Sequence, residues 1–203
     1  VPDGLGIYFP SDGNVTIENS KINAKHVGVQ MCAGSLTVTG DQTAITTTGA
    51  KQQKTEGDGP IVDGAAISIV ERDGYKDLGK VEIRAGAFKS AQADAVKAYT
   101  FNNTDKTEGK WEDANTVVQI FGGLFSSDPS AYCGQDADGN QLTGVDSGRV
   151  DYPYTVGIKG TAVVPVAPPA ADVQSPEVSY PQGSPEQELL NKTQKADRKS
   201  TRL

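Results

Sequence analysis

Short runs in which an apolar residue returns at every second position mark most of the chain up to Phe125: Val15 and Ile17, Leu36 and Val38, Ile67 and Ile69, Val81 and Ile83, Val118 and Ile120. The residues between them, Thr16, Thr37, Ser68, Glu82 and Gln119, are polar. A period of two buries one set of side chains and exposes the other, so these runs predict half-buried β-strands. Turn formers separate the runs at Asp12-Gly13-Asn14, Ala33-Gly34-Ser35 and Arg72-Asp73-Gly74, where glycine or aspartate supplies the backbone freedom of a corner. The strands fall into four blocks, beginning near Gly6, Gly28, Ala65 and Ala95, each with two or three strands.

The blocks repeat. Residues 81–90 return 37 positions later as residues 118–127, with β-branched residues, a glycine, a phenylalanine and a serine at the same offsets. Gly6-Ile7-Tyr8-Phe9 is echoed by Gly28-Val29-Gln30-Met31, and Val15-Thr16-Ile17 by Leu36-Thr37-Val38. A chain that reuses one strand-and-corner pattern predicts a stack of similar coils. Residues 46–64 are polar and glycine-rich and predict an excursion from the stack, and Asn102 to Asn115 predict another that carries Trp111. Residues 126–160 are assigned to capping the last coil, because bare strand edges invite pairing with other chains. From residue 161 the chain becomes proline-rich, which predicts an extended linker and charged tail over 161–203, with at most a short helix at 186–197. The domain reading is therefore 1–160 and 161–203.

Composition supports strands over helices. The 203 residues include 23 glycines and only 6% aromatics. The net charge of −7 would repel a phosphate backbone, so nucleic acid is not an expected partner. No apolar run reaches the length of a membrane span. The start at Val1-Pro2-Asp3-Gly4 reads as a trimmed fragment from which a signal peptide could have been removed. Cys32 and Cys133 read as two separate small apolar side chains, with a disulfide as the alternative.

The blocks Gly6-Ile7-Tyr8-Phe9 with Val15-Thr16-Ile17, Gly28-Val29-Gln30-Met31 with Leu36-Thr37-Val38, and the stretch from Ile120 through Gly122-Gly123-Leu124-Phe125-Ser126 to Tyr132 carry a resemblance. They resemble repeat-bearing surface proteins of gut-dwelling anaerobic bacteria, whose coils end in a Gly-Gly-x-Phe-Ser phrase. The resemblance covers about residues 5 to 158. It implies an all-β chain folded as a right-handed parallel β-helix of the pectin-lyase-like type, and a secreted or cell-wall-attached, adhesive protein. The chain differs from the most regular members in its long insertions and in ending without a sortase-type sorting signal.

That fold also houses polysaccharide lyases and glycoside hydrolases, which need clustered carboxylates. The strand positions show no acidic column, and Asp12, Asp41, Asp63, Asp73 and Asp94 read as turn residues, so no catalytic residue and no cofactor is expected. His26, the sole histidine, reads as a corner residue. The stretch Asp136-Ala137-Asp138-Gly139-Asn140 has oxygens at alternate positions, but Gln141 and Ser147 break a calcium-loop spacing, so a β-turn is expected and no metal. Trp111, Tyr99 and Tyr75 are the candidate ligand-binding residues, as aromatic faces on which a sugar could stack, with Trp111 foremost. The expected function is a non-catalytic extracellular surface module contacting a glycan or a host or cell-surface protein. A carbohydrate-active enzyme and a fibre or spike segment are the alternatives.

Overall fold

The computed structural model describes residues 4–50 and 59–160, which lie within the compact unit Val1–Pro165. The linker and tail expected over 161–203, including the helix at 186–197, and the middle of the 46–64 excursion lie outside the described residues.

The described chain is all-β in character. Its first three strands, β1 (Ile7–Phe9), β2 (Asn14–Glu18) and β3 (Lys21–Ala24), are followed by three triplets of the same kind. These are β4 (Val29–Met31), β5 (Gly34–Thr39) and β6 (Ala44–Thr47), then β7 (Ile67–Arg72), β8 (Leu78–Ile83) and β9 (Ala87–Ser90). The last is β10 (Val96–Asn102), β12 (Val118–Ile120) and β13 (Leu124–Phe125), interrupted by β11 (Thr107–Gly109) and the helical turn α1 (Ala114–Val117). Corresponding strands of the four triplets join the same sheet. One sheet is ordered β1-β4-β7-β10-β11, the second β12-β8-β5-β2, and the third ends in β13-β9-β6-β3. Between successive triplets every pairing is parallel.

Register explains the repeat. Val118 pairs Val81 and Ile120 pairs Ile83, while Leu124 pairs Ala87 and Phe125 pairs Phe88, all at the same 37-residue offset. Inward side chains therefore stack in columns, such as Val15, Leu36, Val81 and Val118 on the second sheet and Ile22, Ile45, Phe88 and Phe125 on the third. Phe88 and Phe125 are fully buried, with ring centroids 5.1 Å apart. Burying each such side chain is worth about 1.5–3 kcal/mol, and the stacked pair adds about 0.5–1.5 kcal/mol.

The glycine and serine of the repeated phrase have structural tasks. Gly123 sits at φ +121°, and a Cβ there would lie 3.0 Å from the Gly86 carbonyl oxygen and 3.1 Å from the Phe88 ring. Only glycine lets the corner pass so close beneath the stacked rings. The Ser126 hydroxyl accepts a hydrogen bond from the Ser90 N–H at 3.0 Å, and Ser127 accepts from the Ala95 N–H at 2.8 Å, so the serines tie successive corners together.

The 126–160 region extends the third sheet beyond its β13 edge. Strand β15 (Tyr154–Ile158) pairs antiparallel with β13, and β14 (Leu142–Asp146) pairs antiparallel with β15.

Three expectations are corrected. Asp63, expected at a turn, is instead buried: at the end of the 46–64 excursion Ile61 and Asp63 are each 2% exposed, because this segment returns onto the outer face of the first sheet. There Gln30 clamps the Ile61 backbone, donating to its carbonyl and accepting from its N–H at 2.7 Å each. Arg72 is not a corner residue but the buried last residue of β7. The Asn102 to Asn115 excursion is structured, since β11 folds back antiparallel on β10 and α1 leads into β12. Cys32 and Cys133 are both buried and unpaired, and burial pushes each thiol up to about 11.

Candidate functional site

Where β7 turns into β8, the chain runs alongside the end of β10 and the Trp111 segment, and the three surround a concave groove of about 680 Å³. Its walls come from Glu71 and Arg72 at the end of β7, from Asp73 to Leu78 in the corner, and from Phe101 and Asn102 at the end of β10. Trp111 and Val117 close one side. The volume falls in the range of roughly 300–1,000 Å³ typical of ligand pockets.

The corner is held rigidly. The Tyr75 N–H donates to the Arg72 carbonyl at 3.1 Å, and Gly74 takes φ +83°, a conformation that favours glycine. The hydroxyls of Tyr75 and Tyr8 are 2.9 Å apart. The Arg72 guanidinium carbon lies 4.8 Å from the Tyr75 ring centroid and 5.4 Å from that of Phe101. Arg72 itself donates through Nε to Asn103 Oδ1 at 2.7 Å and through Nη1 to the Gly59 carbonyl at 2.8 Å. Asn103 in turn donates to the Asp73 carbonyl at 2.6 Å, which joins β10 to the corner. A buried guanidinium costs several kcal/mol unless it is satisfied, which is why so many partners converge on it. Its Nη2 is buried with no hydrogen-bond partner among the described residues. Cys32 lines the same groove beneath this cluster.

Of the three expected ligand residues, Tyr75 and Trp111 come together on this groove although they belong to different blocks. Trp111 is half-buried and also packs against the main core, so it both covers the flank of the stack and contributes to the groove wall. Tyr99 does not face the groove. It is 3% exposed, and its hydroxyl donates to Asp63 at 2.9 Å, so its ring belongs to a second, smaller core with Cys32, Ile61, Val70 and Phe101. Covered on its outer face by the 59–66 segment, Tyr99 offers no stacking surface.

Asp63 is likewise not a turn residue in water. Its carboxylate accepts from the Ala65 N–H at 2.9 Å and from the Ser68 and Tyr99 hydroxyls. Burial raises its pKa, opposed by those hydrogen bonds and by Lys97. Asp136 behaves in the opposite way: exposed, it accepts from the Asn140 side chain and from the backbone N–H groups of Asp138 and Asn140, and these bonds lower its pKa. That is the geometry of a turn.

The sequence reading missed Glu71, Arg72, Asp77 and Asn102 as groove residues. One signal was available: β7 and β10 carry apolar residues on both faces, Ile67 and Ile69 inward with Val70, Tyr99 and Phe101 outward. A strand apolar on both faces is covered on both faces, which points to a segment packed outside the stack. No family model, curated protein or solved structure matches the chain.

Proposed function

We propose that this chain is a non-catalytic extracellular or cell-wall-attached module, a right-handed parallel β-helix capped at its C-terminal end, that contacts a glycan through the groove between Tyr75 and Trp111. The parallel pairing of corresponding strands in the four triplets supports the β-helix, and parallel crossovers are right-handed in about 98% of cases. The single observation that carries the functional reading is the convergence of two aromatic side chains with Asn102 and the carboxylates of Glu71, Asp73 and Asp77 on one concave surface. Sugars are held by this combination: an aromatic face takes the C–H side of a ring while polar groups take its hydroxyls.

Those three carboxylates also favour a second reading, a carbohydrate-active enzyme on the same fold, since a glycoside hydrolase works with a carboxylate pair flanking the bond. The outer edges of β1, β2 and β3, which have no partner strand among the described residues, favour a third, a fibre or spike segment.

A glycan-array screen of the whole chain, run beside a depolymerisation assay on the same sample, separates these readings. Binding without cleavage is expected, weakened about tenfold or more in Trp111→Ala, a change of about 1.4 kcal/mol. Binding that survives both Trp111→Ala and Tyr75→Ala removes the groove from consideration. Appearance of new reducing ends favours the enzyme, and a stable trimer in light scattering favours the fibre.

A further inference from the structure

The groove does not stop at Tyr75. A second hollow, of about 360 Å³, shares Asp73, Gly74, Tyr75 and Lys76 as its wall and is completed by Pro10 and Asn103 rather than by Trp111. Tyr75 therefore stands between two concave surfaces, and the turn that carries it is braced from both sides. Asn103 ties the Asp73 carbonyl to Arg72, and Tyr8 meets the Tyr75 hydroxyl. A fixed aromatic residue between two hollows does more than a single ring requires.

Charge narrows the ligand further. The larger hollow carries three carboxylates, Glu71, Asp73 and Asp77, against Lys76 and the guanidinium of Arg72, which is buried and held by Asn103, Gly59 and Tyr8. The whole chain has a net charge of −7. Acidic sugars would meet repulsion both on approach and at the groove. Hydroxyl-rich uncharged rings would not, and they present acceptors to Lys76 and Asn102 and donors to the carboxylates.

Resting on the glycan reading, we propose that the two hollows are adjacent subsites for an uncharged oligosaccharide of at least two rings, which crosses the 73–76 turn over Tyr75. Length dependence follows, because the second ring binds at no further cost in rigid-body entropy and contributes its own contacts.

The test is calorimetry of the whole chain with cello-, manno- and chito-oligosaccharides of one to four rings, and with oligogalacturonates of the same lengths. At least one uncharged series should gain tenfold or more in affinity between one and three rings. Pro10→Trp, which fills the smaller hollow, should abolish that gain, so that three rings bind no more tightly than one. Pro10→Ala and circular dichroism check that the loss reflects filling and not misfolding. Equal affinity for one and three rings, or a length dependence that persists in Pro10→Trp, would overturn the two-subsite inference while leaving the groove as a sugar site. Tighter binding of oligogalacturonate would overturn the preference for uncharged ligands. No binding by any series would remove the glycan reading together with the inference.

Discussion

Asp63 is the side chain whose environment differs most from what its position in the sequence implies. It lies in a stretch of Gly59-Pro60-Ile61-Val62-Asp63-Gly64 that reads as a turn, yet it is 2% exposed and anchors Ser68 and Tyr99 on neighbouring strands. Because burial raises its folded-state pKa above the unfolded value, its contribution to stability is full below about pH 3.9 and is lost as pH rises through the folded pKa. Urea unfolding from pH 7 down to pH 4 should therefore show the wild type gaining stability relative to Asp63→Asn. A constant difference between the two over that range would mean that Asp63 is not held in a poorly solvated site. Gly123 makes the complementary case. Its φ of +121° strains any side chain, and the Gly86 oxygen only 3.0 Å from where a Cβ would stand crowds one, so Gly123→Ala should cost about 1–3 kcal/mol in chemical denaturation. A cost near zero would show that the corner can move off the Phe88 and Phe125 rings. The glycine was legible in the sequence because the repeat places it at a fixed offset from the phenylalanine. Asp63 was not, because its burial depends on a segment that packs from outside the repeated pattern.

Among the elements, strands with a partner on each side differ from strands at an edge. β8 and β9 are paired on both sides and carry the buried Val81, Ile83 and Phe88. Among the described residues β11 has a single partner, β10, and Thr107 and Gly109 in it are exposed. Opening an edge strand breaks one ladder and exposes little apolar surface, whereas opening an inner strand breaks two. Hydrogen exchange followed by mass spectrometry should find the slowest amides in Leu78–Ile83 and Ala87–Ser90 and the fastest in Thr107–Gly109. Equal protection would place the β10–β11 hairpin in the same cooperative unit as the core. The strand positions themselves could be read from the period of two and the 37-residue repeat, since both follow from inward residues having to stack. The β10–β11 hairpin could not, because Thr107-Glu108-Gly109 has no apolar alternation; its backbone ladder to β10 and the Lys97–Glu108 ion pair leave no period in the sequence.

For the whole molecule, the chain's one tryptophan gives a direct reporter. Trp111 lines the groove and packs against the main core, so its fluorescence and the far-UV dichroism of the strands should report the same thermal midpoint. An earlier fluorescence transition would show that the groove wall detaches before the stack unfolds. At this scale the division between chain and fold is physical. Alternation, glycine corners and the repeat determined by themselves that the chain forms stacked short strands with Val15, Ile17, Ile45, Phe88, Ile120 and Phe125 inside, because those signals are local and each copy restates them. Only the tertiary structure decided that Tyr75 and Trp111 share a surface while Tyr99 is buried. Those three residues come from separate excursions and strands, and their meeting depends on how the 59–66 segment, the 73–76 turn and the Trp111 segment pack against the outside of one sheet, over distances on which no sequence period reports.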